Sequence, residues 1–203
     1  MKHVKTEEAN PSGEEEGNLE ANESPFLLGE QIFLREVRTS DVNAAYRRWL
    51  NDADVNQYLE TRFVPRSIEN IAAYVRDLDG KSESVFFAIC LKKNGVHVGN
   101  IKVGPINWVH RFADISLFIG DKSQWRRGLG SEAISLVTRF AFDELNLNRV
   151  QAGCYSSNLG SSRAFEKCGF RREGVLRKKR FMKGAYEDEL LFGLLREEWQ
   201  EKR

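Results

Sequence analysis

Residues 119–133 read IGDKSQWRRGLGSEA: a strand ends, a loop with two arginines and two glycines follows, and a long helix begins. Glycine lets a backbone approach an anion closely, and the first amides of a helix point at it with the favourable end of the helix dipole. Arg126 and Arg127 add charge-assisted contacts. The stretch therefore predicts a phosphate-binding loop.

The same glycines have a second explanation, because turns and helix caps use glycine for conformational reasons alone. Taken by themselves, these residues support the two interpretations equally. The loop lacks the Gly-Lys-Ser or Gly-Lys-Thr ending of a nucleotide P-loop and the third glycine of a dinucleotide fingerprint. Neither ATP nor NAD binding is predicted.

Strand and helix patterns extend outward from the loop on both sides. Thr39, Ser40 and Asp41 offer N-cap chemistry for a helix through Leu50, and Ser67 opens a second helix that Gly80 ends. The apolar patterns also predict strands at 31–37, 85–91, 96–106, 113–119, 149–155, from 170 and at 189–195, and helices at 131–145 and 163–167. The fold class is a mixed α/β sheet with helices packed on it.

Composition indicates a single domain with no strong charge preference. A chain of 203 residues with 41% hydrophobic residues fills one core, and 31 basic against 30 acidic residues favour neither nucleic acid nor an anionic membrane. Residues 1–25 are acidic and polar, so we expect a disordered tail, or less typically an acidic interaction segment, before a domain at 26–203. Three scattered cysteines and no long apolar stretch indicate a protein of the reducing cytoplasm without a disulfide framework, a zinc site or a membrane span.

Two motifs carry a family resemblance. WRRGLGSEAI resembles the pyrophosphate motif Q/R-x-x-G-x-G/A of the GNAT acetyltransferase superfamily, and NLGSSRAFEKCGF resembles its second signature, N-x-x-S-x-x-x-x-E-K-x-G-F. Trp125 replaces the Q/R residue, as it often does in the branch that the chain resembles most, the ribosomal-protein N-terminal and amino-sugar acetyltransferases. The resemblance extends from QIFLREV at 31–37 to YEDELLFGLLREEW at 186–199.

The resemblance implies a mostly antiparallel, splayed sheet with acetyl-CoA where two central strands diverge, and no metal. It implies a thioester carbonyl bound by a backbone N–H near Phe118, Asn158 on the pantetheine arm and Ser161 beside the thiol. Ser131 would open the helix. The amides expected to hold the pyrophosphate belong to Arg126, Arg127, Gly128, Leu129 and Gly130.

The general base has two candidates. Asp114 lies in FADISLFIGDKSQWRRGLG, which is similar to the histone acetyltransferase stretch in which FAEI supplies a basic glutamate; the spacing to Gly128 agrees. An aspartate is shorter and, with a pKa of about 3.9, a weak base unless burial raises that value. A structural role, closing a turn after Arg111 or pairing with it, is equally supported. His110 is the rival base, although a lone loop histidine is more often simply exposed.

The acid that protonates the departing thiolate is less evident. Many GNAT enzymes use a tyrosine where this chain has Phe165, so Ser161 becomes the candidate, with an N-cap of the short helix as its alternative role. Tyr155 is a weaker substitute and more typical of a cleft wall. Cys154 suggests an acyl-cysteine, but a small residue buried in a strand is the better interpretation.

The acceptor is predicted from one stretch of resemblance and not from the two signature motifs. Residues 99–120 resemble acetyltransferases of nucleotide-linked amino sugars, so we expect a small-molecule amine ahead of a protein N-terminus, and the general features also suit polyamines. The residues do not define the oligomeric state; because the resembled branch often dimerises, the resemblance alone suggests a homodimer. The basic residues at 171–172 and 177–180 could form a nucleic-acid patch, but the chain has no recognisable nucleic-acid motif. We interpret them as exposed strand and hairpin edges or as an entrance for a phosphorylated acceptor. A CoA-binding regulatory domain, favoured by Phe165, and a pure interaction module stay open at this point.

Overall fold

One eight-stranded sheet organises residues 24–201, the part of the chain that this computed structural model describes. The strand order is β1-β2-β3-β4-β5-β6-β8-β7. Every neighbouring pair is antiparallel except β5 and β6, which run parallel. The strands are β1 (Leu27–Leu28), β2 (Ile32–Glu36), β3 (Val85–Leu91), β4 (His97–Asn107), β5 (Phe112–Ile119), β6 (Arg149–Tyr155), β7 (Arg171–Met182) and β8 (Ala185–Leu195). The predicted mixed, mostly antiparallel sheet is confirmed; most of the predicted tail, residues 1–23, lies outside the described part.

The parallel pair opens a cleft in the middle of the sheet. Asp114 faces Gln151 in the last pair of residues that the two strands share. Beyond that pair, residues 115–119 of β5 and 152–155 of β6 diverge, and within residues 24–201 no strand fills the space between them. The expected splay is therefore present at the end of β5 that leads into the glycine-containing loop.

Helices cover both faces of the sheet. The helices are α1 (Ala44–Asn51), α2 (Ala53–Asn56), α3 (Ile68–Leu78), α4 (Leu129–Asp143), α5 (Leu159–Lys167) and α6 (Arg196–Gln200). On one face, α4 buries Ile134, Val137 and Ala141 completely in the main core. On the other face, α1 sets the rings of Tyr46 and Trp49 against Phe118.

Two predicted helix starts were wrong because other side chains provide the caps. The α1 cap is Asn43, whose side chain accepts from the amides of residues 45 and 46. Thr39–Asp41 forms a 3-10 turn instead, since the Asp41 carboxylate is held by two 2.8 Å bonds to Arg35. In α5 the cap is Asn158, so the N-cap role considered for Ser161 was wrong.

Helix α4 begins at Leu129, two residues earlier than predicted. Gly128 occupies the N-cap position with φ of 82°, a left-handed conformation that glycine adopts without strain. Ser131 therefore lies in the first helical turn instead of opening the helix. The shift places more of the glycine-containing loop inside the helix N-terminus.

Candidate functional site

The loop between β5 and α4 is held in place by its own polar side chains. The Trp125 indole donates from Nε1 to the carbonyl of Ile119, at the end of β5, over 2.8 Å. Asp121 accepts from the backbone amide and the hydroxyl of Ser123 at 2.9 and 2.7 Å. Leu129 is buried and anchors the other end. Trp125 thus ties the loop to the end of β5.

The start of α4 presents free backbone donors. The first hydrogen bond of α4 runs from the Glu132 amide to the carbonyl of Gly128. The amides of residues 129–131 therefore have no acceptor within the helix. Gly128 provides no side-chain cap, and a Cβ built there meets nothing within 4 Å. Arg126 and Arg127 are both exposed beside it. Amides, dipole and guanidinium groups together fit a diphosphate such as that of acetyl-CoA.

Asp114 lies at the root of the cleft, on the face that α1 covers. Phe118 contacts α1, and side chains on a strand alternate, so Asp114 four residues earlier shares that face. The carboxylate accepts from Gln151 Nε2 at 3.2 Å. Burial raises the pKa of Asp114 above its ordinary value, although this hydrogen bond and the charges of Arg149 and Lys102 oppose the shift.

The alternative role for Asp114, a pairing with Arg111, was wrong. The Arg111 guanidinium donates instead to the backbone carbonyl of Asn146 at 2.7 Å and to its side-chain oxygen at 2.8 Å. His110 lies in the turn between β4 and β5, where its ring is exposed and its backbone amide donates to Asn107 Oδ1 at 2.8 Å. Asp114 is therefore the candidate base inside the sheet and His110 the one at its edge.

The second signature surrounds Cys154 on the α4 and α5 face. Asn158 Oδ1 accepts from the Ser161 amide at 3.1 Å, which leaves the Asn158 side-chain amide as a donor. Burial raises the pKa of the Cys154 thiol to about 11, with a hydrogen bond from Ser161 opposing the shift. A thiol this far from ionisation is a poor nucleophile, so the structure favours the buried, structural interpretation of Cys154.

Phe165 is a core residue. Only 2% of it is exposed, and its ring centroid lies 5.1 Å from that of Phe170 and 6.1 Å from that of Phe192. Tyr155 is also buried, but its hydroxyl donates to Glu60 Oε1 and accepts from Arg62 Nη1, both at 2.7 Å. The cleft-wall interpretation of Tyr155 fits this position.

Sequence reasoning missed an ionic cluster around the Tyr155 hydroxyl, formed by Glu60, Arg62, Lys179, Arg180 and Glu189. Arg180 bridges Glu60 at 3.0 Å and Glu189 at 2.6 Å, and Lys179 also pairs with Glu189 at 2.6 Å. Glu189 is buried. The sequence offers one indication of this cluster: Glu189 begins the apolar run ELLFGLL, and an acidic side chain buried with such a strand needs an ionic partner. Half of the predicted exposed basic edge is thus engaged in ion pairs.

Comparison with known proteins settles the family. The family model described as "Acetyltransferase (GNAT) domain" matches residues 31–171. The chain belongs to the GNAT acetyltransferase family. A Bacillus subtilis (strain 168) relative named "Probable N-acetyltransferase YjcK" is 35% identical over 179 residues, covering 84% of this chain and 97% of the relative. A second relative from that strain, the "SPbeta prophage-derived uncharacterized N-acetyltransferase YokL", is 32% identical and covers 86% and 96%.

A solved structure shows the same fold. Spermidine N-acetyltransferase from Vibrio cholerae, in complex with CoA and spermine, superimposes with a TM-score of 0.76 at 20% identity, covering 84% of this chain and 98% of that one. This GNAT chain is an acetyl-CoA-dependent N-acetyltransferase. The two non-enzyme alternatives, a regulatory domain and an interaction module, give way to that assignment.

Within residues 24–201, no helix is long and apolar enough to cross a membrane. No group of three histidine, cysteine or acidic side chains in the same residues is arranged to hold a metal ion.

Proposed function

We propose that this acetyltransferase transfers the acetyl group directly to a primary amine of a small molecule, with Asp114 as the general base. The observation that carries the proposal is the position of Asp114: a half-buried carboxylate at the root of the cleft, with a raised pKa and, among residues 24–201, without a salt bridge to an arginine. A lysine-like amine has a pKa of about 10.4 and must lose a proton before or during attack. Burial makes Asp114 a stronger base than an exposed aspartate.

Acetyl-CoA supplies the activated thioester when it is bound. In this proposal its diphosphate lies on the amides of residues 126–131, and Arg126 and Arg127 add charge. A backbone N–H near Phe118 polarises the thioester carbonyl, and the Asn158 side-chain amide binds the pantetheine arm. Most of the rate enhancement then comes from positioning, without a covalent enzyme intermediate.

Ser161 is the proposed proton donor to the leaving thiolate. Its hydroxyl lies against the Cys154 side chain, on the first turn of α5 and near the diverging part of β6. Phe165 offers no hydroxyl and is packed in the core. A Ser161→Ala variant should therefore lose kcat while retaining acetyl-CoA affinity, and a variant that loses neither would refute this role.

The charges near Tyr155 support an acceptor that carries an anionic group, such as a nucleotide-linked amino sugar. Both carboxylates of the ionic cluster are already bonded to Arg180, while Glu187, opposite Arg180 on β8, accepts from Ser156 and Ser157. A polycation that bound Glu60 or Glu189 would have to displace Arg180, whereas a diphosphate could bond to Arg62, Lys179 or Arg180.

A polyamine is the second candidate, because two relatives are named spermidine N(1)-acetyltransferase. The relative from Vibrio cholerae is 23% identical and matches 79% of this chain, and the one from Escherichia coli is 28% identical and matches 67%. The homodimer and the cytoplasmic location stay predictions.

A thiol-release assay with an amine panel tests the proposal. The panel contains a nucleotide-linked amino sugar, the same sugar without the nucleotide, spermidine and a peptide with a free N-terminus. We expect the nucleotide-linked sugar to have the highest kcat/KM and Arg180→Gln to reduce that preference. A highest kcat/KM for spermidine or the peptide would overturn the acceptor assignment. Asp114→Asn and the matched His110→Asn variant identify the base. We expect Asp114→Asn to lower kcat by about 100-fold or more and His110→Asn to leave it near the wild-type value.

A further inference from the structure

A chain of polar side chains runs from Asp114 across β6 to β7. Gln151 Nε2 donates to Asp114 Oδ1 at 3.2 Å, and Arg149 Nε donates to Gln151 Oε1 at 3.2 Å. Arg149 then forms a bidentate ion pair with Glu173, in which Nη1 donates to Oε1 at 2.8 Å. The four side chains therefore form one continuous network that ends on the candidate base.

The network fixes the orientation of the Gln151 amide. An arginine can only donate, so the contact with Arg149 requires the Gln151 oxygen on that side and leaves its NH₂ group facing Asp114. Glu173 holds the guanidinium in turn, with the planar, two-bond geometry that restricts an arginine most. Gln151 consequently offers a donor to Asp114 whenever the carboxylate is ionised.

The backbone beneath the network has room for it. Gly193 pairs with Gln151 across β6 and β8. A Cβ built on Gly193 would lie 2.4 Å from Glu173 Oε1 and 2.5 Å from Arg149 Nη2. A glycine inside a strand weakens it unless something approaches closely, and here the ion pair does. Gly193 thus allows Arg149 and Glu173 to lie flat on the sheet.

Three groups from two strands act on Asp114. Gln151 and Arg149 belong to β6, and Lys102 belongs to β4, where its ammonium lies 3.4 Å from the hydroxyl of Tyr74. All three lower the pKa of Asp114, against the larger effect of burial. Glu173 acts at longer range and through Arg149, whose charge it partly balances.

We propose that Gln151 is a positioning residue for the acetyl transfer: held by Arg149 and Glu173, it fixes the Asp114 carboxylate for proton removal from the acceptor amine. The inference rests on the proposed role of Asp114 as the base. Gln151 touches neither the amine nor the thioester in this scheme and acts only through Asp114.

The test compares pH profiles of kcat for the wild type, Gln151→Leu, Glu173→Gln and the double variant. Leucine removes the donor at similar volume, so the acid limb of the profile should move to higher pH by about one unit, and kcat at neutral pH should fall about tenfold. Glu173→Gln removes a negative charge and leaves the Arg149 charge less balanced, so its acid limb should not move to higher pH; freeing the Arg149 guanidinium should instead lower kcat across the profile, by a smaller factor than Gln151→Leu. Because that loss of kcat runs through the orientation of Gln151, Glu173→Gln should cause no further loss of kcat in the Gln151→Leu background.

Acetyl-CoA affinity and melting temperature are measured for each variant. An unshifted acid limb in Gln151→Leu, or additive losses of kcat in the double variant, would overturn the inference. If Gln151→Leu fails to fold, the kcat of Glu173→Gln decides, since this carboxylate is partly exposed and its loss should leave the fold intact; an unchanged kcat in that variant would overturn the inference. Asp114→Asn separates the two levels: wild-type activity in that variant refutes the base itself, whereas an inactive Asp114→Asn with an unshifted Gln151→Leu refutes only the positioning role.

Discussion

Removing the hydroxyl of Tyr155 distinguishes two roles of this residue, a structural role in the cleft wall and a catalytic role as proton donor. In Tyr155→Phe, two 2.7 Å hydrogen bonds are lost, one to the Glu60 carboxylate and one from Arg62. Both partners keep other bonds: Arg62 donates to two backbone carbonyls at 3.1 and 2.8 Å, and Glu60 retains Arg180 at 3.0 Å. The Glu60 side chain is also 58% exposed, so water screens its loss.

Hydrogen bonds to charged groups contribute about 1.5–3 kcal/mol each when buried, and the retained bonds and exposure reduce the total to about 1–2 kcal/mol here. For a domain of this size, each kcal/mol lowers the melting temperature by about 2–4 °C. Tyr155→Phe should therefore melt about 2–8 °C below the wild type. Because the hydroxyl is committed to Glu60 and Arg62, kcat should change by less than about threefold.

Differential scanning calorimetry and a thiol-release assay on the same preparations measure both quantities. The matched control is Tyr186→Phe, since that ring is 65% exposed and touches only Phe181 among the aromatic rings of residues 24–201. Its melting temperature should stay within about 1–2 °C of the wild type. An unchanged melting temperature in Tyr155→Phe together with a loss of kcat of about 100-fold would refute the reasoning and make Tyr155 the proton donor.

Three further outcomes are expected. Arg126→Ala and Arg127→Ala should each weaken acetyl-CoA binding about tenfold by calorimetry, and by more at low salt. Their melting temperatures should equal that of the wild type because both side chains are exposed, and wild-type acetyl-CoA affinity in either variant would contradict the phosphate loop. Asp41→Ala breaks a buried ion pair and should cost about 3–5 kcal/mol in urea unfolding, and a cost below about 1 kcal/mol would contradict its burial. Burial lowers the pKa of His97, so at acidic pH the unfolded chain binds more protons than the folded protein. The stability of the fold should therefore fall as pH drops below about 6.5, and the melting temperature of His97→Gln should depend less on pH between 7.5 and 5 than that of the wild type.

The glycine-containing loop and the strands around it were predictable because their signals are local. The runs VFFAICL and RVQAGCY form strands with the bounds expected of them, Val85–Leu91 and Arg149–Tyr155. Their apolar side chains fill one core, so composition and period suffice to place them. The spacing of the two motifs likewise suffices for the family.

The helix starts were harder, because a cap depends on which side chain is free to bond. Asp41 has the right chemistry for a cap, yet the buried Arg35 takes its carboxylate, and Asn43 caps the helix instead. The competing partner lies on another element. A pattern read along the chain cannot rank these two uses of one carboxylate.

The ionic cluster and the network behind Asp114 were out of reach for the same reason. Arg180 and Glu60 are far apart in sequence and meet only because β7 closes over the segment before α3. Gln151 faces Asp114 through the single parallel pairing of the sheet. The residues that connect Asp114 to Glu173 follow from strand register, which a pattern along the chain does not define.

Calorimetric titration with acetyl-CoA, followed by thiol release on addition of the amine panel, tests the central assignment most directly. We predict saturable binding at micromolar concentrations, weakened in Arg126→Ala, and thiol release that depends on an added amine. A folded protein that takes up no acetyl-CoA, or that binds it and releases no thiol with any amine of the panel, would contradict an active acetyltransferase built on this loop.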